Sequence, residues 1–317
     1  MTLNLNQRAS TLVSTLNESV AEQAGIHRSE VAGGGTVLDF GVAASGSLSA
    51  GLILARLCMS DLARISLVPG IVDGTGFPQV QVETDHPLEA CLLSQYAGWR
   101  VSVGDYFGMG SGPIRTVAAR EDLFEKLDAG EQASVAVGVL EASALPGADV
   151  FSYLSERCGV PASALTLAVA PTASIAGSLQ VVARSVETAM HKLFELGFDV
   201  RRVRHGFGTA PLAPVAKDDL SGIGRTNDAI LYGGRVTLWV TGDDDSIAEI
   251  GPRVPSSAVE CHGEPFLSIF KAADYDFYKI DPMLFSPAEI VIQNLDTGRV
   301  FRFGEVASEV VRRSFGF

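Results

Sequence analysis

The sequence has no run of about 18 consecutive apolar residues, so it offers no candidate for a membrane-spanning helix. The stretch from Met1 to Ala24 has the pattern of one amphipathic helix and carries acids at Glu18 and Glu22. It lacks the continuous apolar core that a secretory signal peptide needs. We therefore expect a cytoplasmic protein without a membrane partner.

Cysteine and histidine are scarce and scattered. The four cysteines and five histidines form no CxxC, HxH or HExxH pattern, and these are the spacings that bring metal ligands together on one element. We expect four reduced thiols, as is usual inside cells. The sequence predicts no metal site.

Charge is also sparse, because only 19% of the residues are charged and the net charge is −13. No cluster of lysine and arginine interrupts this acidic balance, which argues against a nucleic-acid partner. A chain with so few charges and 33 glycines is expected to bury further surface between subunits. We therefore expect a homo-oligomer.

Strand and helix patterns alternate along the 317 residues, a length that can supply two cores. They predict an α/β (α+β) fold of two lobes, with mixed sheets flanked by helices. We place the N-terminal α/β lobe at residues 1–117 and the C-terminal lobe at 118–317, with the last strands free to return to the first lobe. Residues 289–303 form a predicted hairpin around the turn NLDTGR.

The longest helical pattern runs from Thr172 to Leu196, where apolar residues recur at spacings of three and four. Thr172 or Ser174 can cap its start. Arg184 and Glu187 project from one side of this helix, away from the apolar stripe. Spacing alone predicts a surface ion pair that contributes about 0.2–0.5 kcal/mol.

Two segments are unusually rich in glycine or polar groups. The first, residues 104–115, is predicted as a loop that either cradles an anion or makes a tight connection. It matches neither the Walker A nor the GxGxxG pattern. The second, residues 224–234, places polar side chains before an apolar strand, where they suit recognition of a flat polar ring or simply form a turn. A third segment, 274–282, is predicted as a half-buried strand, with aromatic stacking on a ligand as the alternative.

Six stretches together resemble the methenyltetrahydromethanopterin cyclohydrolase family, and they occur in family order. They are TDHP (84–87), AGWRVSVGDYFGMGSGP (97–113), APTASIAGSLQVVARSVET (170–188), GTAPLAPVA (208–216), GRTNDAILYGG (224–234) and DYDFYKIDP (274–282). The resemblance implies reversible hydrolysis of the methenyl bridge of a tetrahydromethanopterin without a metal or redox cofactor. It also implies a homotrimer of two-domain subunits with the active site in the cleft between domains.

The resemblance assigns catalysis to Glu187, as base and then acid, and to Arg184, which opposes the cationic ground state. The candidates for binding the pterin substrate lie within the same stretches: Asp105, Tyr106, Gly110, Ser111, Thr172, Ser174, Arg225, Asn227 and Asp228. In one departure from the family, Tyr96 stands where archaeal members often have a lysine.

Two other functions stay open at this point. The glycine-rich segment is also compatible with a nucleotide- or flavin-dependent oxidoreductase, and the polar segment with a non-catalytic pterin-binding protein. The sequence leaves open which tetrahydromethanopterin is used and whether the reaction serves methanogenesis or methylotrophy.

Overall fold

A computed structural model describes residues 3–276 and 279–317 of the chain. The strands of this part are β1 His27–Glu30, β2 Thr36–Asp39, β3 Arg64–Val72, β4 Thr75–Thr84, β5 Trp99–Val103, β6 Tyr106–Ser111, β7 Ala136–Glu141, β8 Leu165–Ala170, β9 Val203–Pro211, β10 Arg235–Val240, β11 Glu289–Asn294 and β12 Val300–Gly304.

The α-helices of the same residues are α1 Leu5–Thr15, α2 Glu18–Ala24, α3 Leu48–Cys58, α4 Ile114–Ala118, α5 Asp122–Lys126, α6 Ala148–Cys158, α7 Ile175–Val182, α8 Ser185–Glu195, α9 Asp219–Leu231, α10 Asp244–Ile250, α11 Phe266–Ala272 and α12 Ser308–Phe315. Leu88–Gln95 forms a π-helix. None of the helices that the structure describes is long and apolar enough to cross a membrane.

The chain divides into two compact units, and each unit consists of two separate segments. Residues 1–63 and 93–180 form the first unit, and residues 64–92 and 181–317 form the second. This division differs from the single boundary after residue 117 that we expected. The reason is strand pairing, since β4 pairs with β9 while β7 pairs with β6 and β8 with β2.

The first unit contains a six-stranded mixed sheet in the order β1-β2-β8-β7-β6-β5. Strands β2, β8 and β7 are parallel, and the outer strands are antiparallel to their neighbours. One face packs against α1, α3 and the start of α7. The other face packs against α6. Helices on both faces of a mixed sheet confirm the predicted fold class.

The second unit contains another six-stranded mixed sheet in the order β12-β11-β10-β9-β4-β3. Only β10 and β11 are parallel among its described pairs. Helix α8 packs on β9 and β10, and α9 packs with α11 and α12. The predicted hairpin at the end of the chain is confirmed as β11 and β12.

The predicted continuous helix from Thr172 to Leu196 is two helices, α7 and α8. The break lies at residues 183–184, where the Arg184 amide donates to Val181 O, three residues back, at 3.1 Å. An i→i−3 bond has the spacing of a 3₁₀ turn, so the α-helical bonding is interrupted there. The predicted cap at Ser174 is confirmed, because its hydroxyl accepts a hydrogen bond from the Gly177 amide at 2.9 Å.

Two predicted loops are regular structure. Residues 104–115 contain β6 and the turn of a hairpin, and the glycines allow close contacts, since a Cβ at Gly110 would lie 3.0 Å from Trp99 O. Residues 224–234 belong mostly to α9, which Asp218 caps by accepting from the Ser221 amide at 2.8 Å.

The predicted strand over 274–282 is wrong at its start, because Asp274 and Tyr275 adopt positive φ angles in a turn. Residues 277 and 278 lie outside the described residues.

Candidate active site

Arg184 and Glu187 lie at the start of α8 in the second unit. Arg184 occupies the N-cap position and Glu187 falls in the first turn. Their side chains are buried, with 6% and 4% of their surfaces exposed, so the predicted surface ion pair is wrong. Charged residues are rarely buried to this degree unless they are paired or hydrogen-bonded. The first turn of a helix also favours a carboxylate, because the helix dipole is positive there.

Glycines on β9 let the first turn of α8 approach the sheet closely. A Cβ at Gly208 would lie 2.5 Å from Ser185 Oγ and 2.9 Å from a methyl of Val186. A Cβ at Gly206 would lie 2.7 Å from the other methyl of Val186. These distances are too short for any real side chain. The two glycines therefore define the position of the residues between Arg184 and Glu187.

We expect Gly208→Ala to lower kcat by about tenfold or more while the protein still folds. The added methyl forces α8 away from β9 at an overpacking cost of about 1–3 kcal/mol, and catalytic groups tolerate displacements of only fractions of an ångström. Steady-state kinetics and thermal unfolding measure the two effects. Gly76→Ala on β4 is the control, because a Cβ there meets nothing within 4 Å. Equal kcat for the two variants would contradict this account of α8.

In the first unit, polar residues gather at the carboxyl ends of the parallel strands. Asp39 ends β2 and is 1% exposed. Its two oxygens accept hydrogen bonds from four successive backbone amides, Gly41 to Ala44, at 2.7–2.9 Å. Burial raises the pKa of Asp39, but the four amides together outweigh burial and hold the pKa below its usual value. Asp39 therefore orders the loop after β2.

Glu141 ends β7, and its carboxylate accepts a hydrogen bond from the hydroxyl of Thr172, just after β8. Thr172 is 2% exposed, and its carbonyl accepts from Ser178 Oγ at 2.9 Å. The Ser174 hydroxyl donates to Pro171 O at 2.8 Å. The structure thus places Thr172, a predicted substrate-binding residue, against a carboxylate that the sequence did not single out. Ser174, the other predicted residue of this turn, contacts the backbone of the turn and of α7.

The predicted residues of the glycine-rich segment lie on the hairpin of β5 and β6. Asp105 is exposed in the turn, and Gly110 packs under Trp99. Tyr106 is half-buried at the edge of the core against α6, and burial raises the pKa of its hydroxyl. Ser111 is buried, with its Oγ 3.2 Å from Cys58 Sγ. Substrate binding by these four residues stays a prediction.

The predicted residues of α9 have structural contacts within the second unit. Arg225 donates to Val215 O at 3.2 Å, and Asn227 donates to Ile223 O at 2.8 Å. Asp228 is 1% exposed, and its Oδ1 accepts from the first amide of α11, that of Phe266, at 2.7 Å. Their role in binding stays a prediction, whereas the structure shows Asp228 capping α11.

Comparison with known proteins gives a match over almost the whole chain. The family described as "Cyclohydrolase (MCH)" matches residues 4–315. The chain belongs to this cyclohydrolase family.

Relatives named methenyltetrahydromethanopterin cyclohydrolase occur in a bacterium and in archaea. The one from Rhodopirellula baltica is 54% identical over 288 residues, covering 89% of this chain and 86% of the relative. The one from Methanocaldococcus jannaschii is 42% identical over 320 residues and covers 99% of both chains. The one from Methanococcoides burtonii is 42% identical over 285 residues and covers 89% of both.

Tyr96 packs beside a buried arginine. The guanidinium of Arg115 lies 5.0 Å from the centre of the Tyr96 ring and 5.3 Å from that of Phe124. Arg115 is fully buried, donates to the carbonyls of Leu93 and Ser94 at 3.3 Å, and pairs with a glutamate at 2.7 Å. Tyr96 therefore lies beside a segment whose backbone is firmly held.

Sequence reasoning missed three functional candidates in this family member. Asp39 and Glu141 are each the last residue of a parallel strand, a position that often carries ligand contacts in α/β sheets. Lys192 on α8 is 2% exposed and donates to the carbonyl of Met283. Burial lowers the pKa of Lys192 to about 8, against the opposing effect of Asp281. The sequence could have indicated Asp39 and Glu141, because each is an acidic residue in a predicted strand. It gave no sign that Lys192 is buried.

Asp228 makes the stability of this protein depend on pH. Burial raises the pKa of Asp228 to about 7, despite opposing hydrogen bonds from Ser314 and Phe266 and the charge of Arg313. Between the ordinary value of 3.8 and about 7, the folded state binds more protons than the unfolded state. Stability therefore falls as pH rises through this window, by up to about 3–4 kcal/mol.

We expect Asp228→Asn to remove most of this fall, because an amide still accepts from the Phe266 amide and carries no charge. The variant should unfold at a higher temperature than the unmodified protein at pH 8, and the difference should shrink toward pH 4. Thermal unfolding from pH 4 to 8 measures it. Asp245→Asn is the control, because Asp245 is exposed on α10. This variant should lose stability with rising pH as the unmodified protein does. If Asp228→Asn lost as much stability between pH 4 and pH 8 as the unmodified protein, groups other than Asp228 would cause the pH dependence.

Proposed function

We propose that this chain catalyses the reversible hydrolysis of the cyclic amidine bridge of 5,10-methenyl-tetrahydromethanopterin to the N5-formyl derivative, in one-carbon metabolism. The family match over residues 4–315 carries the proposal. The burial of Arg184 and Glu187 at the start of α8 supports it, because charges act more strongly on a reacting group where bulk water does not screen them. The names of the relatives agree with this activity.

In the proposed mechanism, Glu187 accepts a proton from the water that attacks the bridge carbon. The same carboxyl group then returns that proton to N10 as the C–N10 bond breaks, and the second proton of the added water leaves to solvent as the formyl C=O bond forms. Positioned proton transfer of this kind contributes about 10²–10⁴-fold. Glu187 suits the role because it lies in the first turn of α8, where the helix dipole favours a carboxylate.

Arg184 supplies a fixed positive charge next to the reacting centre. The methenyl bridge is cationic in the substrate and neutral once water has added. A nearby guanidinium therefore destabilises the bound substrate more than the transition state and lowers the barrier. The amidinium carbon is already electrophilic, so we propose that the reaction uses neither a metal ion nor a redox cofactor.

The oxidoreductase alternative has no support in the fold. It required the glycine-rich segment to form a phosphate loop before a helix, but half of that segment is β6, and the helix that follows β6, α4, has only five residues. A non-catalytic pterin carrier would need no buried acid at position 187. The comparisons support neither alternative.

We also propose that the protein is a cytoplasmic homotrimer, in keeping with the resemblance to the family. The low charge content supports association, since only 19% of the residues are charged. Light scattering of the purified protein tests this point. A mass of about three times that of the chain is expected, and a monomer at micromolar concentration would contradict it.

The decisive experiment follows the methenyl absorbance of the substrate in the presence of the purified protein. We expect its loss with methenyl-tetrahydromethanopterin or a close structural relative, and its return when the formyl product is supplied at lower pH. Methenyl-tetrahydrofolate is the control for carrier specificity. Binding without turnover would support the carrier alternative, and a bound flavin or nucleotide spectrum would support the oxidoreductase.

A further inference from the structure

The sheet of the first unit has a topological switch point at the carboxyl ends of β7 and β8. These strands are adjacent and parallel, with Glu141 paired to Ala170. Helix α6, which follows β7, packs on one face of the sheet, and the start of α7, which follows β8, packs on the other. Connections that leave to opposite faces open a crevice at the strand ends, where α/β sheets bind their ligands.

Glu141 is the carboxylate at this crevice. It is partly exposed, while its neighbour Thr172 is buried and donates to its Oε1. Among the residues that the structure describes, Thr172 is the only side chain that hydrogen-bonds to this carboxylate. The Oε2 atom and the remaining lone pair of Oε1 are thus oriented by Thr172 and available to a ligand.

The surroundings of Thr172 are rigid, so the carboxylate is positioned before a ligand arrives. A Cβ at Gly177 would lie 2.0 Å from Pro171 O, and a Cβ at Gly41 would lie 2.7 Å from the Cβ of Ser174. The turn between β8 and α7 is therefore packed against both its own helix and the loop that Asp39 orders. Preorganised polar groups of this kind increase affinity because little freedom is lost on binding.

We propose that Glu141 is a substrate-binding residue that recognises the donor edge of the pterin ring. This inference rests on the proposed function. A tetrahydropterin ring presents its N3–H and its 2-amino group side by side, and the two oxygens of a carboxylate accept both in parallel. Such charge-assisted paired bonds are strong and select for geometry. Thr172 is the positioning residue, because it touches the carboxylate and orients it.

Glu141→Gln tests the assignment, because the glutamine side chain has only one acceptor oxygen. Its NH₂ group would face one of the two ring donors, and that hydrogen bond would be lost. We expect KM for the methenyl substrate to rise about tenfold or more, with kcat within about threefold of the unmodified protein, since the change removes binding rather than proton transfer. Glu156→Gln on α6 is the matched control, because its side chain is 84% exposed in the same unit. Its KM should be unchanged.

A second measurement separates recognition from a merely structural role. Under anaerobic conditions, 6-methyl-tetrahydropterin and its 2-desamino analogue are compared as inhibitors. The unmodified protein should prefer the tetrahydropterin by about tenfold or more, and Glu141→Gln should lose most of that preference, because only the unmodified site pairs with the amino group. A structural role for Glu141 would weaken both inhibitors equally.

The outcomes separate this inference from the proposed function. If the unmodified protein turns over the methenyl substrate, but Glu141→Gln keeps KM within about twofold and retains the preference for the amino group, the assignment of Glu141 is overturned and the proposed function stands. If the unmodified protein shows no turnover, both are overturned. Should Glu141→Gln fail to fold, Glu141→Asp replaces it: a rise in KM of about fivefold supports the assignment, and an unchanged KM overturns it.

Discussion

Glu187→Gln is expected to lower kcat by about 10²–10⁴-fold while the protein folds and binds substrate normally. The amide has the size of the carboxylate, so the buried position in the first turn of α8 remains filled. It cannot take a proton from water or return one to N10. Initial rates from the methenyl absorbance, together with thermal unfolding and substrate titration, measure the three properties.

Glu195→Gln is the control for this variant, because Glu195 ends the same helix. Its carboxylate is about one-third exposed and lies 3.7 Å from the His191 ring. A partly exposed contact of this kind contributes little, so Glu195→Gln should keep both kcat and stability. Turnover of Glu187→Gln within about threefold of the unmodified protein would remove Glu187 from the mechanism.

Asp39→Asn is expected to cost about 3–5 kcal/mol of unfolding free energy at pH 7. One oxygen of Asp39 accepts from the amides of Gly41 and Val42, and the other accepts from those of Ala43 and Ala44. An asparagine keeps one acceptor and turns an NH₂ group toward the other two amides. Hydrogen bonds to a charged group contribute about 1.5–3 kcal/mol each, and the orphaned amides add a penalty. Denaturant unfolding measures the loss.

The pH dependence of this loss follows from the lowered pKa of Asp39. A carboxyl group whose pKa is lower in the folded state stabilises the protein fully above its ordinary value of 3.8. That contribution is lost as pH falls through the lower folded value. The difference in unfolding free energy between Asp39→Asn and the unmodified protein should therefore shrink as the pH falls below 3.8.

Asp149→Asn provides the comparison for Asp39. Asp149 is exposed in the first turn of α6, where a carboxylate contributes about 0.3–1 kcal/mol through the helix dipole. Its replacement should leave most of the stability intact. A loss in Asp39→Asn no larger than that in Asp149→Asn would show that the loop after β2 is held by other contacts.

Local sequence signals succeeded where the deciding interaction is also local. Ser174 was predicted as a helix cap, and its hydroxyl accepts from an amide three residues away. Gly197 lies just after α8 with a φ of 83°, as a helix-ending glycine should. The hairpin of β11 and β12 follows from alternating apolar residues around a polar turn.

Local signals failed where a distant segment decides the conformation. Glycine is a poor strand former, so residues 104–115 were predicted as a loop. In the structure, Gly108 and Gly110 lie in β6, which pairs with β5 and β7, and a Cβ at either glycine would lie only 3.0–3.1 Å from Trp99 or Ala142. The break between α7 and α8 was missed because apolar residues continue at helical spacing through it. Periodicity shows which residues share a helix face, but it does not reveal a two-residue turn that interrupts the helix.

The sequence by itself determined the family of this protein, the alternation of strands and helices, and the three-residue spacing of Arg184 and Glu187. Only the tertiary structure decided that this pair is buried, that Glu141 meets Thr172, and that each unit consists of two chain segments. The physical reason is that spacing determines which side chains share a face. Whether that face is buried depends on the segments that pack against it, and these are distant in sequence and meet it only in the folded chain.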